Sequence, residues 1–278
     1  MTLFEALTTN PLLLAAVAAC LAAAIASGII GSYVVVKRIV FIAGSISHAV
    51  LGGIGLCIWL ERSHGITTIP PLLGAIITAV ISALIIGWMR LRYREREDSA
   101  IAALWSIGMA AGVIFMSQTP GFTGELANYL LGNILWVSKE DLLALLALDL
   151  VILVTVACLH QRFLAICFDE EQAKLQGVRV NALYLLLLSL IAITVVLLIE
   201  VVGIILVLTM LALPAALANL FLRRLSSMMA LAVAFSACFS LAGMEIAYQL
   251  DWPSGATIAL LIGSCYLTAT VVANRRHA

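Results

Sequence analysis

An all-α integral membrane protein, a polytopic bundle of eight or nine transmembrane helices forming a single domain over residues 1–278, is the fold class the sequence predicts. Three observations predict it. Of 278 residues, 64% are hydrophobic and only 11% are charged, whereas charged residues make up about a quarter of an ordinary soluble domain. The apolar excess is continuous from residue 11 to residue 273, with short polar breaks. Those breaks divide it into stretches of about 20 residues, the length that crosses a bilayer as a helix.

The stretches fall at 11–36, 40–60, 69–89, 100–118, 142–160, 181–200, 202–220, 228–248 and 254–273. Nine spans follow directly; a re-entrant half-helix around Val201, Val202 and Gly203 would reduce the count to eight. The segment MTLFEALTTN has no basic residue, so it lacks the charged start of a cleavable signal peptide, and the first span is expected to be retained. Alternating the chain through nine spans gathers Lys37, Arg38, the arginines of RLRYRERED, Arg162, Lys174, Arg179, Arg223, Arg224, Arg275 and Arg276 on one side. Arg62 and Lys139 fall on the other, a split of thirteen to two. Cytoplasmic loops keep the basic excess, so a multi-pass protein of the cell (inner) membrane with a cytoplasmic C-terminus is expected. Gly28, Gly31, Gly44, Gly52, Gly53 and Gly55 suit closely approaching helices.

Several function classes are excluded. Fifteen basic and fifteen acidic residues leave no cationic excess for a phosphate backbone, which argues against nucleic acid as a partner. The six cysteines form no CxxC pair and mostly lie within apolar runs, as small apolar residues do. No HExxH appears, and none of Lys37, Lys139 and Lys174 follows a glycine as a P-loop requires. The chain is therefore not expected to be an enzyme, and any ATP-driven role must borrow its motor from a separate subunit.

Ionisable groups within membrane spans cost about 2.5–3.5 kcal/mol each on insertion scales, which makes them candidate functional groups. They are His48, between Ser45 and Ser47 in the second span, with Asp149, Glu200 and Glu245. Imidazole and carboxylate suit zinc, manganese or iron, so His48, Glu200 and Glu245 are the candidate metal ligands. Two basic-side stretches are candidates for contacting a partner. FDEEQAKLQGV, 168–178, reads as a short helix with acidic residues at its start and glycine at its end. PAALANLFLRRLSSMM opens at Pro214, and its Pro-Ala-Ala start predicts a separate short helix before the arginines.

The chain resembles the membrane permease of ATP-binding cassette importers for zinc, manganese or iron. The stretches that carry the resemblance are GSYVVVKRIVFIAGSISHAVLGGIGL, YLLGNILWVSKEDL, FDEEQAKLQGVRVNAL, VVGIILVLTMLALPAALANLFLRRL and LDWPSGATIALLIG, in family order. The resemblance implies pairing with a second permease copy as a homodimer, with two cytoplasmic ATP-binding cassette ATPase subunits, and with an extracytoplasmic metal-binding protein. The transported divalent metal ion, zinc, manganese or iron, is cargo, and no permanently bound cofactor is implied. It also places ATPase coupling after Pro214, at Ala215, Ala216, Asn219, Arg223, Arg224 and Ser226.

Two departures matter. The family's Gly-Asp-x-x-Ser-His-Ala places an Asp four residues before the His; here that position is Gly44, so His48 stands alone, with Ser45 or Ser47 as helpers through water. Asn133 likewise falls where the family often has Asp. The family does not usually carry Glu at position 245, so Glu245 rests on its membrane cost alone, whereas Asp251 matches the family's Leu-Asp-x-Pro-x-Gly turn. Alternative readings are a permease for a metal chelate or cobalamin on a related architecture, or a stand-alone secondary transporter or channel.

Overall fold

The computed structural model describes residues 11–93, 97–120, 134 and 137–277. Without water to satisfy backbone groups, a spanning segment must hydrogen-bond internally, and each long apolar run forms a helix. In order they are α1 (Pro11–Val36), α2 (Val40–His64), α3 (Pro71–Tyr93), α4 (Glu97–Ser117), α5 (Lys139–Phe168), α6 (Glu170–Leu175), α7 (Val180–Val202), α8 (Ile204–Phe221), α9 (Leu225–Leu250) and α10 (Ser254–His277). All except α6 are long and apolar enough to span a membrane, which makes nine among the described residues.

Local chemistry sets the ends. α2 runs four residues past the expected boundary and stops at Gly65, whose φ of 67° lets its N–H reach the Glu61 carbonyl and Ile66 N–H the Leu60 carbonyl. α5 starts at a capping box: the Asp141 N–H donates to Ser138 Oγ at 3.1 Å, and the Ser138 N–H donates back to Asp141 Oδ2 at 2.9 Å. It then continues through Gln161 and Arg162 to Phe168, because neither residue breaks a helix. The short helix expected at 168–178 forms as α6. Asp169 Oδ1 accepts from the Glu171 and Gln172 N–H groups at 3.0 and 2.9 Å, and Gly177 turns the chain at φ 78°.

The stretch after Pro214 also differs from expectation. No separate short helix follows Pro214; the residue is buried inside α8, which runs on to Phe221. Proline withholds one N–H, from the Met210 carbonyl, but a membrane offers no water to open the helix there. The junction expected around residues 201–203 is a single non-helical residue, Gly203, with φ 81° and ψ 161°. At 18 residues, α8 spans about 27 Å, close to the hydrocarbon thickness, so it is a full-length helix.

The chain divides into two compact units, one comprising residues 1–38, 127–159 and 197–278 and the other residues 39–126 and 160–196. In one unit α1 packs on α8 and α9, and α8, α9 and α10 pack on one another. Glycine permits the closest approaches: a Cβ on Gly28 would lie 2.6 Å from the Val233 backbone nitrogen on α9. In the other unit α2 packs against both α3 and α4. Gly52 and Gly55 of α2 face the Gly108 and Gly112 carbonyls of α4, each 3.0 Å from where a Cβ would stand. In this unit Arg90, in the last turn of α3, pairs with Glu170 of α6 at 3.0 Å and lies 4.4 Å from the centroid of the Tyr184 ring. Arg90 and Glu170, from two segments grouped on one side by charge, therefore meet.

Candidate functional site

His48 sits on α2 where the backbone is held from both flanks. Four residues before it, Gly44 is buried, and four residues after it, Gly52 meets α4. Ser45 and Ser47 are fully buried. Ser45 Oγ donates to the Ile101 carbonyl of α4 at 2.9 Å, and Ser47 Oγ donates to the Gly44 carbonyl of its own helix at 2.7 Å. The hydroxyl protons expected beside His48 are thus committed, one to holding α2 on α4 and one to the backbone of α2.

The imidazole itself stacks on Trp105 of α4, with ring centroids 4.3 Å apart and planes 16° from parallel. Its Nδ1 is buried and has no hydrogen-bond partner. A buried polar atom without a partner calls for an explanation, and a nitrogen ligand awaiting a passing cation is one such explanation. Trp105 was not signalled by the sequence: it lies 57 positions away on another helix, and only the α2–α4 packing brings it to His48. The glycines of α4 were the signal available, since Gly108 and Gly112 are four apart.

The carboxylates lie elsewhere. Glu200 is exposed in the last turn of α7, three residues before the Gly203 break. Asp141, fixed by its capping box in the first turn of α5, is within electrostatic reach of Glu200, so a second carboxylate stands near it that sequence spacing did not reveal. Glu245 is half-buried on α9 and accepts a hydrogen bond from Gln249 Nε2 one turn later. Among the described residues no three His, Cys, Asp or Glu side chains gather into a group that could hold a metal ion. Asn133 lies outside the described residues. Asp251 caps the end of α9 with φ 56° and ψ 41°, the turn role expected of it. Asp149 is 4% exposed on α5; its carboxylate lies against the Ala26 backbone, with neither oxygen in hydrogen-bond geometry.

The proposed coupling residues divide by burial. Ala215 is buried and Ala216 half-buried within α8, while Asn219, Arg223, Arg224 and Ser226 are exposed where α8 gives way to α9. Leu222 is extended, and the Arg224 carbonyl accepts the Met228 N–H at 2.9 Å to start α9. This corner presents two guanidinium groups, an amide and a hydroxyl to the exterior.

Comparison with known proteins places this arrangement in context. The sequence model of the ABC 3 transport family matches residues 9–273. A Chlamydia pneumoniae protein named "Probable metal transport system membrane protein" is 49% identical over 93% of this chain and 88% of its own length. The Halalkalibacterium halodurans manganese transport system membrane protein MntC is 32% identical over 96% of this chain and 89% of its own length. Among solved structures, PsaBC from Streptococcus pneumoniae in complex with Fab is similar with a TM-score of 0.83 at 29% identity, over 96% of this chain and 94% of that one.

Proposed function

From the premise that this chain belongs to the ABC 3 transport family, as the membrane permease subunit of a metal transport system, we propose that it imports a bare divalent cation, manganese foremost. The observation that carries this reading is the match along nearly the whole chain to the manganese permease of H. halodurans. The chemistry of the candidate groups agrees with it. They offer nitrogen and oxygen, the donors manganese, zinc and ferrous iron share, and no cysteine joins them. Zinc and iron are the competing cargoes.

In the proposed cycle a delivery protein presents the metal outside, two ATPase subunits close on ATP below, and two permease copies, each a single domain, pass the ion between them. His48 offers its unpartnered Nδ1 to the ion in transit, while Glu200 and Glu245 are separate acidic contacts along the route. The residues at the α8–α9 corner, Ala215, Ala216, Asn219, Arg223, Arg224 and Ser226, receive the ATPase motion. A pathway contact must release as readily as it binds, which suits a lone imidazole better than a full coordination shell. The loss of the carboxylate at Gly44 leaves the site one negative ligand poorer, which favours transit over storage.

The test is uptake by the reconstituted permease with its ATPase and delivery protein, comparing manganese, zinc and ferrous iron. Manganese should be carried best, and His48→Ala should lower uptake while leaving ATPase assembly intact. Normal uptake by His48→Ala would remove His48 from the path; uptake of a chelate in place of the free ion would overturn the cargo. A cytoplasmic C-terminus is tested on a chain otherwise free of cysteine: Ala278→Cys should resist an impermeant maleimide added outside intact cells, and labelling there would invert the orientation.

A further inference from the structure

Between the end of α8, Phe235 of α9 and the second half of α10, a groove of 610 Å³ opens on the exterior. Its size lies within the range of small-molecule sites. It is lined by Leu217 and Phe221 of α8, Phe235 of α9, and Cys265, Ala269 and Val272 of α10. The hydroxyl of Thr268, also on its wall, is already given to the Ser264 and Cys265 carbonyls of its own helix. The groove therefore offers no free donor to a peptide backbone, whose N–H and C=O groups would be stranded in it. A hydrocarbon chain makes no such demand. Along α10 the lining extends from Cys265 to Ala273, eight residues or about 12 Å, so the groove follows the direction in which an acyl chain lies.

Charge at the open end is one-sided. Arg223 and Arg224 are exposed just beyond Phe221, and neither guanidinium makes a hydrogen bond or ion pair among the described residues. Arg275 and Arg276 follow Ala273 by two and three positions, in the last turn of α10. No Asp or Glu occurs between Glu200 and Glu245 or after Asp251, so no carboxylate in these segments balances the four arginines. An apolar slot between membrane helices, with the exposed Arg223 and Arg224 two and three positions beyond its lining residue Phe221, suits one ligand chemistry: a hydrocarbon tail carrying an anionic headgroup.

We propose that this groove is a binding site for an anionic phospholipid, with one acyl chain along Phe235 and Ala269 and the headgroup phosphate held by Arg223 and Arg224. The arginines thus act twice, since the same corner faces the ATPase in the transport cycle. A lipid held there would fix the α8–α9 corner from the membrane side.

The experiment uses the full chain purified into nanodiscs of equal phosphatidylglycerol and phosphatidylcholine with identical acyl chains, followed by detergent extraction and native mass spectrometry of the lipid retained. Because metal, nucleotide and the other subunits are absent, its outcome is independent of the transport reading. Wild type should retain phosphatidylglycerol at least threefold over phosphatidylcholine. Arg223→Gln with Arg224→Gln should retain lipid without that preference, and Ala269→Phe, which fills the slot, should retain neither lipid. To separate occlusion from misfolding, the other five cysteines are replaced and Cys265 is alkylated with a bulky maleimide after folding, which should release the bound lipid. Equal retention of the two lipids by wild type, or undiminished phosphatidylglycerol after Cys265 alkylation, would overturn the proposal. So would a second permease copy displaced by that alkylation while lipid stays bound.

Discussion

Adding one methyl group at Gly112 tests whether the close packing of α2 on α4 holds His48 in place. The residue is buried, and a Cβ there would lie 2.8 Å from both the carbonyl carbon and the carbonyl oxygen of Leu51. Non-bonded carbon contacts settle at about 3.5–4.0 Å, so Gly112→Ala requires the two backbones to separate by roughly 0.7 Å. The atoms in the way are backbone, which no rotamer change can move. Overpacking of this kind costs about 1–3 kcal/mol. Gly112 lies seven residues from Trp105, about 10 Å along α4, so the separation should also reach the His48–Trp105 stack.

The assay is thermal unfolding in detergent together with metal uptake after reconstitution. Gly263→Ala is the control: Gly263 has nothing within 4 Å of its missing Cβ, and replacing an unconstrained helical glycine by alanine gains up to about 1 kcal/mol of helix propensity. Gly112→Ala should melt lower than wild type and transport less, while Gly263→Ala should melt no lower. Equal melting of Gly112→Ala and wild type would refute the argument that backbone contact between α2 and α4 is tight enough to matter.

The Arg90–Glu170 pair is about three-quarters buried on each side. A double-mutant cycle with Arg90→Ala and Glu170→Ala should give a coupling of about 0.5–1 kcal/mol, given the modest worth of partly exposed pairs, and it should shrink in high salt. Asp149→Asn keeps the shape of a buried side chain while removing the charge, so its melting temperature should equal or exceed that of wild type; a marked loss would reveal a partner for the carboxylate. Gly44→Asp places a carboxylate one helical turn before His48, on the same face. It should tighten metal binding, measured by isothermal titration on the purified permease, and slow release in single-turnover uptake. Unchanged affinity would show that position 44 does not address the path.

The spans were legible because a membrane permits few alternatives: the expected first span, 11–36, coincides with α1 from Pro11 to Val36. The errors occur where polarity was taken for an ending. Glu61 and Arg62 did not stop α2, which waited for Gly65, and Arg162 did not stop α5. Charge at a helix end costs nothing once the helix has emerged from hydrocarbon, so the stop signal is backbone conformation. Pro214 misled in the opposite direction, since the lost hydrogen bond suggests a break that the surrounding helices do not allow. α6 was readable because its signals, Asp169 before and Gly177 after, are local. His48 was readable as an imidazole among apolar residues, but its neighbour Trp105 depends on tertiary packing that spacing cannot encode. The carboxylates proposed for the route, Glu200 and Glu245, were readable only as single residues.

Helix α2 performs two tasks with one surface, and this constrains how the site can move. Gly52, Gly53 and Gly55 press its backbone against α3 and α4, and Ser45 adds a hydrogen bond to Ile101. His48 stands within that held stretch, with its ring against Trp105 of α4. Rotating α2 alone by enough to turn the imidazole away would drive side chains into the backbones that now face glycine, and close-packed interiors resist such continuous deformation. The alternatives left are a rotamer change of His48, which must give up the Trp105 stack, or movement of α2, α3 and α4 together. The second keeps every glycine contact intact, so the conformational step of transport should carry Trp105 with His48. A disulfide between α2 and α4, introduced at Gly52 and Ala111, where the two Cβ atoms would stand 3.6 Å apart, within the range a disulfide spans, should therefore leave uptake standing. Loss of uptake that returns on reduction would show instead that the two helices must part.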